Sequence, residues 1–160
     1  MAYALGKKSI TVLKGAHSDI GRVVRRAITI SKVDFLVHET LRSVEQQKIN
    51  VANGVSWTLD SKHIAGPDGL SRAVDLLAVV EGKASWAWPL YFRIAEAMQE
   101  ASQAEAVSLT WGGVWDHRLS DLGPDLEGAV ADYGARRKKL GKAANLDGPH
   151  FEMARHLVLR

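Results

Sequence analysis

Three side chains of the sequence could together bind a metal ion. His63 lies in a polar stretch, Asp75 interrupts an apolar run, and His150 lies near the C-terminus. A catalytic zinc site typically takes three protein ligands from histidine and carboxylate side chains and keeps its fourth position for water, whose pKa it lowers to about 7. Because the chain contains no cysteine, thiolate nucleophiles are excluded and any metal must be held by His, Asp or Glu.

Taken separately, these residues also have ordinary interpretations. A single histidine in a small domain is more often a surface or hydrogen-bonded residue than a metal ligand. Asp75 could cap a turn or pair with Arg72. However, a carboxylate in an apolar strand costs several kcal/mol unless it is paired or coordinated, and metal binding would remove that cost. Spacing alone leaves both interpretations open.

The elements that must position these residues form a mixed pattern of helices and strands. Apolar residues recur at helical spacing after Ser18, with Ser18 or Asp19 as the N-cap, and further helices are expected over about 42–53, ending at Gly54, and over 86–106. The predicted strands cover residues 33–37, 73–80, 107–111 and 149–153. Turn-forming residues fill 55–72, which we expect to be a loop. This mixture predicts an α+β fold.

The composition is that of one globular domain. The chain has 160 residues, of which 46% are hydrophobic and 24% charged, and its formal net charge is +3. This mild positive charge suits anionic partners without identifying one. The N-terminal stretch lacks the pattern of a secretory signal, and no run of about 18 apolar residues could span a bilayer. We therefore expect cytosolic synthesis, no stable membrane association and a single domain over residues 1–160.

Ordered motifs along most of the chain resemble those of one enzyme family. Ser61, His63 and Gly66, followed by Ala73 and Asp75, resemble the S-x-H-x-x-G-x-A-x-D signature of the D-Ala-D-Ala carboxypeptidase-like zinc peptidases. The similarity continues in Val33-Asp34-Phe35-x-Val37, Arg42-Ser43-x-x-x-Gln47, Gly54-x-Ser56, Trp111-Gly112-Gly113-x-Trp115 and Asp147-x-x-His150-Phe151-Glu152. It extends from about residue 15 to 153 and favours the bacteriophage branch of the family, the L-alanyl-D-glutamate endopeptidase endolysins.

The resemblance implies a fold and a set of roles. The implied fold is a small antiparallel sheet flanked by helices, of the hedgehog and D-Ala-D-Ala-peptidase-like type. His63, Asp75 and His150 match the family's zinc ligands. Asp147 matches its catalytic acid and base, and Arg42 matches the arginine that contacts substrate. The other substrate-binding residues that the resemblance implies are Gln47, Ser61, Trp111 and Trp115.

Several of the remaining polar and aromatic residues keep alternative interpretations. Trp111 and Trp115 could equally be core aromatics, and Ser61 is expected to be a hydrogen-bond partner rather than a nucleophile. The pair Gly112-Gly113 would let another backbone segment pass closely. Glu152 could orient His150 or serve the strand edge. The histidines outside any motif, which we expect to be structural, are His17, His38, His117 and His156.

The chain departs from the family pattern in two places. The segment from Gly66 to Ala73 is about five residues longer than the signature, so Asp68 competes with Asp75 as the carboxylate ligand; we favour Asp75 because its apolar context is retained. Residues 116–145 form a second departure, a predicted helical insertion that contains a basic run, Arg136 to Lys139. That run could be a solvated helix face, a contact for an anionic polymer, or a lid beside the site.

The resemblance implies a phage endolysin that hydrolyses the L-alanyl-D-glutamate bond in the peptidoglycan stem peptide and lyses the host. By the same resemblance the enzyme would use zinc and reach the wall after a holin opens the membrane. For so small a lytic enzyme we expect a monomer without a separate cell-wall-binding domain. A D-Ala-D-Ala carboxypeptidase or dipeptidase with the same zinc site is the first alternative. A non-enzymatic module that binds nucleic acid or wall polymer is the second, although the complete ligand and acid/base set argues against a nucleic-acid partner.

Overall fold

A computed structural model of the chain describes residues 2–154, which contain five α-helices and one five-stranded sheet. The helices are α1 (Lys7–Leu13), α2 (Ser18–Ile30), α3 (Val44–Ala52), α4 (Trp88–Ala104) and α5 (Leu126–Lys139). The strands are β1 (Phe35–Glu39), β2 (Ala73–Val80), β3 (Lys83–Ser85), β4 (Leu109–Trp111) and β5 (His150–Met153). This arrangement confirms the predicted α+β fold with a small antiparallel sheet.

Strand β2 is the centre of the sheet, whose order is β1-β2-β5-β4. All pairings are antiparallel. The N-terminal half of β2 pairs with β5, and its C-terminal half pairs with the short β3 through a hairpin. Because β2 has β1 on its other side, every part of this strand is flanked by neighbours, which suits its nearly continuous apolar sequence.

The core lies where helices α2 and α4 pack against each other and join the apolar side chains of the sheet in one cluster. Helix α2 buries residues at helical spacing, among them Ile20, Val24 and Ala27, each fully buried. Helix α4 contributes Ile94 and Met98 to the same cluster. Burying an Ile, Val or Met side chain contributes about 1.5–3 kcal/mol to the stability of the fold. The apolar contacts of the two helices therefore hold them against the sheet.

Most predicted elements occur close to their expected positions. Strand β2 begins and ends as predicted, and Gly54 adopts φ +71° after helix α3, as a C-terminal glycine should. The N-cap of α2 is His17, whose Nδ1 accepts a hydrogen bond from the Asp19 backbone N–H at 3.1 Å, so the prediction of Ser18 or Asp19 is wrong by one or two residues. Strand β1 lies two residues later than predicted.

Helix α1 and strand β3 were not predicted from the sequence. Both are short: α1 has seven residues and β3 has three. Such short segments carry too few residues for a periodic pattern to show. The segment 116–145 contains α5 and a single 3-10 turn at Leu119–Asp121, in agreement with its predicted helical character. Within residues 2–154, none of the helices combines the length and apolar character that crossing a bilayer requires.

Candidate metal centre

Three potential metal-binding atoms converge at one end of the sheet. Nε2 of His63 lies 3.0 Å from Oδ1 of Asp75 and 3.2 Å from Nδ1 of His150. Nδ1 of His150 lies 3.1 Å from the same Asp75 oxygen. His63 and His150 are buried, and the Asp75 side chain is 13% exposed. The three residues predicted as ligands therefore form one compact cluster, which is suited to a metal ion.

The far side of the His63 ring is fixed by the backbone. Its Nδ1 lies 2.7 Å from the carbonyl oxygen of Thr40. A carbonyl oxygen can only accept, so Nδ1 carries the proton and Nε2 presents a lone pair toward Asp75. This is the arrangement in which a metal-binding histidine is held by an outer hydrogen bond.

His150 is held in the same way by a carboxylate. Its Nε2 lies 2.9 Å from Oε1 of Glu152, so Nε2–H donates to Glu152 and Nδ1 presents its lone pair toward His63 and Asp75. Of the two sequence interpretations of Glu152, the structure favours orientation of His150. Two imidazole lone pairs and one carboxylate oxygen consequently point at a common position.

The cluster requires positive charge at its centre. In the metal-free protein, burial alone raises the pKa of Asp75, but the adjacent His150 and His63 rings outweigh burial and lower that pKa well below its usual range. Burial alone lowers the pKa of His150, but hydrogen bonds to Asp75 and Glu152 outweigh it and raise the pKa to about 10. Without a metal ion, protons must lie between the facing atoms of His63, His150 and Asp75, because lone pairs so close together repel each other. A divalent metal ion at the same position would replace these protons.

The spacing of the donor atoms also fits a metal. Two ligands about 2.1 Å from a tetrahedral ion lie about 3.4 Å apart. The separations of 3.0–3.2 Å in the structure need only a small adjustment to reach that value. Two imidazole nitrogens and one carboxylate oxygen are also a ligand set that catalytic zinc accepts. The residues present therefore fit the metal that the resemblance implies.

The register of the sheet places two of these residues together. Asp75 on β2 lies directly opposite His150 on β5, and on its other side it lies opposite Glu39 on β1. The β1 register shifts between Val37 and Glu39, which is typical of a bulge that redirects a side chain beside a functional site. Asp75 is tolerated in the apolar strand because its carboxylate meets His150 and His63 rather than the core.

His63 reaches the sheet from the long loop between α3 and β2. The loop is held by backbone hydrogen bonds: the Arg42 N–H donates to the His63 carbonyl at 2.9 Å and the Arg72 N–H donates to the Lys62 carbonyl at 2.8 Å. The Ser61 hydroxyl accepts from the His63 backbone N–H at 3.2 Å, as expected for a hydrogen-bond partner rather than a nucleophile. Asp68 lies elsewhere, exposed and paired with Arg72. The structure thus brings Asp75, and not Asp68, to the two histidines.

Arg42 lies beside the cluster in a fixed orientation. Its Nε and Nη2 donate to the two carboxylate oxygens of Glu39 at 2.7 and 2.8 Å, and Nη1 donates to Gln47 Oε1 at 2.7 Å. The hydrogen bond to Glu39 raises the pKa of Arg42 further above its already high value. Its Nη2 is 4.0 Å from Oδ2 of Asp75. A guanidinium has five N–H donors, so two remain available beside the cluster of His63, Asp75 and His150.

Asp147 lies at the edge of the same cluster. Burial raises the pKa of its carboxyl, His150 opposes this rise, and Asp75 adds to it. In the described part of the chain, no side chain is hydrogen-bonded to the Asp147 carboxylate. Every fully buried polar side-chain atom there has a hydrogen-bond partner, so the unpartnered oxygens of Asp147 are not fully buried. Because Asp147 lines the cleft, these oxygens face it. An aspartate whose pKa is raised and whose oxygens are free is suited to proton transfer.

Gly112 allows the backbone around Asp147 to approach closely. The Asp147 N–H donates to the Gly112 carbonyl at 2.9 Å, and the Gly112 N–H donates to the His150 carbonyl at 2.8 Å. A Cβ atom at Gly112 would overlap the carbonyl of Asp147. The predicted close approach at Gly112 is therefore confirmed, and the segment that approaches is the one that carries the candidate acid/base.

These side chains line a cleft of about 940 Å³. Ser61 and Trp115 contribute to its wall, and the Trp115 ring lies 5.3 Å from the His150 ring. Trp57, more than half exposed, packs edge-on against Trp115 at 5.3 Å. A cleft with a metal-binding cluster at its base and aromatic walls is a typical small-molecule or peptide site.

Two of the residues predicted to bind substrate do not line the cleft. Trp111 is fully buried, stacks on Phe151 with ring centroids 6.3 Å apart, and donates its Nε1–H to the Gly148 carbonyl at 2.8 Å. Its large apolar ring fills the core, so its prediction as a cleft residue is wrong. Gln47 is 1% exposed, and its amide is used by Arg42, Ser56 and Thr58. Gln47 positions Arg42, so its assignment to direct substrate contact is also corrected.

Sequence reasoning missed several residues that hold the site. Glu39 and Thr40 stand just before Arg42 and act by fixing Arg42 and His63, but nothing in their types or spacing indicates this. Among the histidines expected to be structural, His17 caps α2, His117 pairs with Asp116 and His38 lies against Trp86. Both His38 and His117 line the cleft. His156 lies outside the described residues.

Comparisons with known proteins identify the family of the chain. The family model described as phage L-alanyl-D-glutamate peptidase matches residues 1–154. The L-alanyl-D-glutamate peptidase of Escherichia phage T5 is 30% identical over 157 residues, which cover 96% of this chain and 99% of the relative. That of Listeria phage A118 is 27% identical over 113 residues, covering 71% of this chain and 36% of the longer relative.

A solved structure shares the fold. The crystal structure of the L-Ala D-Glu endopeptidase ChiX of Serratia marcescens superposes with a TM-score of 0.68 at 32% identity, covering 92% of this chain and 87% of that protein. The family match over residues 1–154 includes the segments that carry His63, Asp75 and His150. The chain belongs to the phage L-alanyl-D-glutamate peptidase family.

Proposed function

We propose that the protein is a zinc-dependent endopeptidase that hydrolyses the L-alanyl-D-glutamate bond of the peptidoglycan stem peptide. The observation that carries this proposal is the convergence of His63, Asp75 and His150, with the outer nitrogen of each ring held by Thr40 or Glu152. Membership of the family supplies the bond that is cut. Zinc is proposed because its preferred ligands match this donor set.

The metal and the protein side chains have separate tasks in this proposal. When bound, zinc supplies Lewis acidity to the amide carbonyl and lowers the pKa of the attacking water. Asp147 takes a proton from that water and returns it to the amine that leaves. Water thereby adds across the amide, leaving a carboxylate on L-alanine and an amine on D-glutamate. Proton transfer of this kind contributes about 10²–10⁴-fold to the rate.

Arg42 stabilises negative charge that develops on the substrate. Its two free N–H donors lie beside the metal-binding cluster, while Glu39 and Gln47 hold the other three in place. A guanidinium fixed in this way needs no reorganisation when the carbonyl oxygen gains charge. It could equally hold a carboxylate of the stem peptide, since arginine matches that group in geometry and charge.

The biological role follows from the same proposal. The enzyme would act as a phage endolysin, made in the host cytoplasm and active on the cell wall after a holin has opened the membrane, so that the host lyses. We further propose that it acts as a monomer and that residues 1–160 form one catalytic domain. The family relationship to phage peptidases supports this role.

Digestion of purified muropeptides tests the bond specificity. Mass spectrometry should find fragments that end in L-alanine together with fragments that begin with D-glutamate. Release of free D-alanine, with the L-alanyl-D-glutamate bond intact, would instead indicate a D-Ala-D-Ala carboxypeptidase. Binding to peptidoglycan without any cleavage would contradict the enzymatic proposal altogether.

A further inference from the structure

Three consecutive backbone carbonyls just before Asp147 each accept a hydrogen bond from a side chain. The Ala143 carbonyl accepts from Nε of Arg137 at 2.9 Å, and the Ala144 carbonyl accepts from the Tyr133 hydroxyl at 3.0 Å. The Asn145 carbonyl accepts from Nε1 of Trp115 at 2.8 Å. Tyr133 and Arg137 lie one turn apart on helix α5, and Trp115 lies in the segment after β4.

The segment from 143 to 146 has no regular secondary structure. Its chain direction changes at Asn145, which adopts φ +51°. The first backbone hydrogen bond that ties it to the sheet is the one from the Asp147 N–H to Gly112. A segment outside helices and strands needs other partners to be fixed, and here side chains supply them.

Helix α5 is itself tied to the segment that carries Trp115. Arg136 donates through Nε and Nη2 to the two oxygens of Asp116, both at 2.9 Å. Tyr133, 2% exposed, lies beneath the Arg136 guanidinium, which is 5.9 Å from the ring centre. The three donors therefore belong to one connected structure. The predicted basic run thus includes two structural arginines, Arg136 and Arg137, and is not simply a solvated face.

We propose that Tyr133, Arg137 and Trp115 are positioning residues for Asp147, and that helix α5 serves the reaction by fixing the backbone that leads into this residue. The proposal rests on the proposed role of Asp147 as acid and base. The Asp147 carboxylate has no hydrogen-bond partner among the described side chains, so its position depends on its backbone. Proton transfer requires heavy atoms within about 2.6–3.2 Å, and a misplacement of about 1 Å can reduce a rate about 100-fold.

Tyr133→Phe tests this proposal most cleanly, because it removes only the hydroxyl that binds the Ala144 carbonyl. All three residues line the cleft, but Tyr133 is only 2% exposed, so it is less able to touch substrate than Arg137 or Trp115. We expect kcat on muropeptides to fall about tenfold, with KM and bound zinc unchanged. Tyr3→Phe, which removes the same hydroxyl at an exposed position outside the cleft lining, is the matched control and should keep the kcat of the wild type.

A double-mutant cycle separates positioning from general structural damage. If Tyr133 acts through Asp147, Tyr133→Phe should not lower the residual activity of Asp147→Asn any further. Equal proportional losses in both backgrounds would overturn the proposal, as would a folded Tyr133→Phe enzyme with the kcat of the wild type. Should Tyr133→Phe fail to fold, Arg136→Gln takes its place: a kcat about threefold lower supports the proposal, and an unchanged kcat overturns it.

The test also distinguishes this proposal from the function on which it rests. If the wild type cleaves the stem peptide and Tyr133→Phe has the same kcat, only the positioning role is overturned. A wild-type enzyme that leaves the stem peptide intact would overturn the proposed function, and the role of Tyr133 with it.

Discussion

Nε2 of His63 lies 3.0 Å from Oδ1 of Asp75, although the loop that joins the two residues is longer than the related sequence signature allows. The extra residues lie between Gly66 and Ala73 and include Asp68, which pairs with Arg72 away from the cluster. The entropic cost of closing a loop grows only slowly with loop length, so a longer loop can still bring its ends together. The relationship between His63 and Asp75 therefore survives the insertion.

Asp75→Asn and Asp68→Asn should affect metal binding differently. Asp75→Asn removes a charged donor from the cluster and should abolish stoichiometric zinc binding, as measured by elemental analysis of dialysed protein. Asp68→Asn should bind zinc as the wild type does. Loss of zinc in Asp68→Asn with retention in Asp75→Asn would show that Asp68, and not Asp75, is the ligand.

The Asp68 variant also gives a pH-dependent control. The hydrogen bond from Arg72 lowers the pKa of Asp68 from 3.8 to about 2. A lowered pKa in the folded state means that the pair stabilises the protein above the ordinary pKa and loses this effect as the pH falls toward about 2. Any difference in Tm between the wild type and Asp68→Asn should therefore be present at neutral pH and disappear in that acidic range. A difference that grows as the pH falls would contradict the ion pair.

Asp147→Asn should separate catalysis from metal binding. The amide has a similar shape but cannot accept the proton, so kcat should fall about 10²–10⁴-fold while one zinc ion per chain remains bound. Muropeptide kinetics together with metal analysis measure both effects. Nearly normal kcat in a zinc-loaded Asp147→Asn enzyme would remove Asp147 from the reaction.

Glu39→Gln should reduce activity by releasing Arg42. The carboxylate accepts two N–H groups of Arg42, one on each oxygen, at 2.7 and 2.8 Å, and in an amide one of these oxygens is replaced by an NH2 group that cannot accept. We expect kcat/KM to fall about tenfold with unchanged zinc content. Glu100→Gln, at an exposed position on α4, is the control and should behave as the wild type. Equal activity of the two variants would show that Arg42 does not depend on Glu39.

The cluster of His63, Asp75 and His150 could be predicted from sequence because Asp75 is unusual where it stands. An aspartate in the middle of β2 conflicts with the apolar pattern around it, and such a conflict commonly marks a functional residue. His63 and His150 are predicted as ligands only by the ordered motifs around them, since a single histidine carries no such signal. Register explains why these motifs meet: Asp75 lies opposite His150 across the β2–β5 pair.

The supporting residues could not be predicted because their roles arise from tertiary contacts. Thr40 acts through its backbone carbonyl, for which its side-chain type gives no signal. Gln47 and Trp111 belong to motifs that suggest substrate contact, yet packing buries both of them. A motif identifies residues near a site, whereas burial decides whether a side chain faces the cleft or supports it from behind.

Gly112→Ala should displace Asp147, since a Cβ at this position would overlap the Asp147 carbonyl. We expect a loss of at least about tenfold in kcat and a lower Tm, because the backbone must move to relieve the overlap. Gly134→Ala is the matched control: nothing lies within 4 Å of its added Cβ, and alanine favours a helix by about 0.5–1 kcal/mol. The control should therefore be fully active and slightly more stable, and similar losses in both variants would argue against a special role for Gly112.

Zinc titration of the metal-free enzyme tests the central claim most directly. Enzyme treated with a chelator should not cleave muropeptides, and activity should return in proportion to added zinc until one equivalent per chain is bound. His63→Ala, which removes one ligand from the cluster, should show neither stoichiometric binding nor recovery. Full activity in the chelated enzyme, or in a His63→Ala protein that contains no metal, would contradict a metal-dependent reaction at His63, Asp75 and His150.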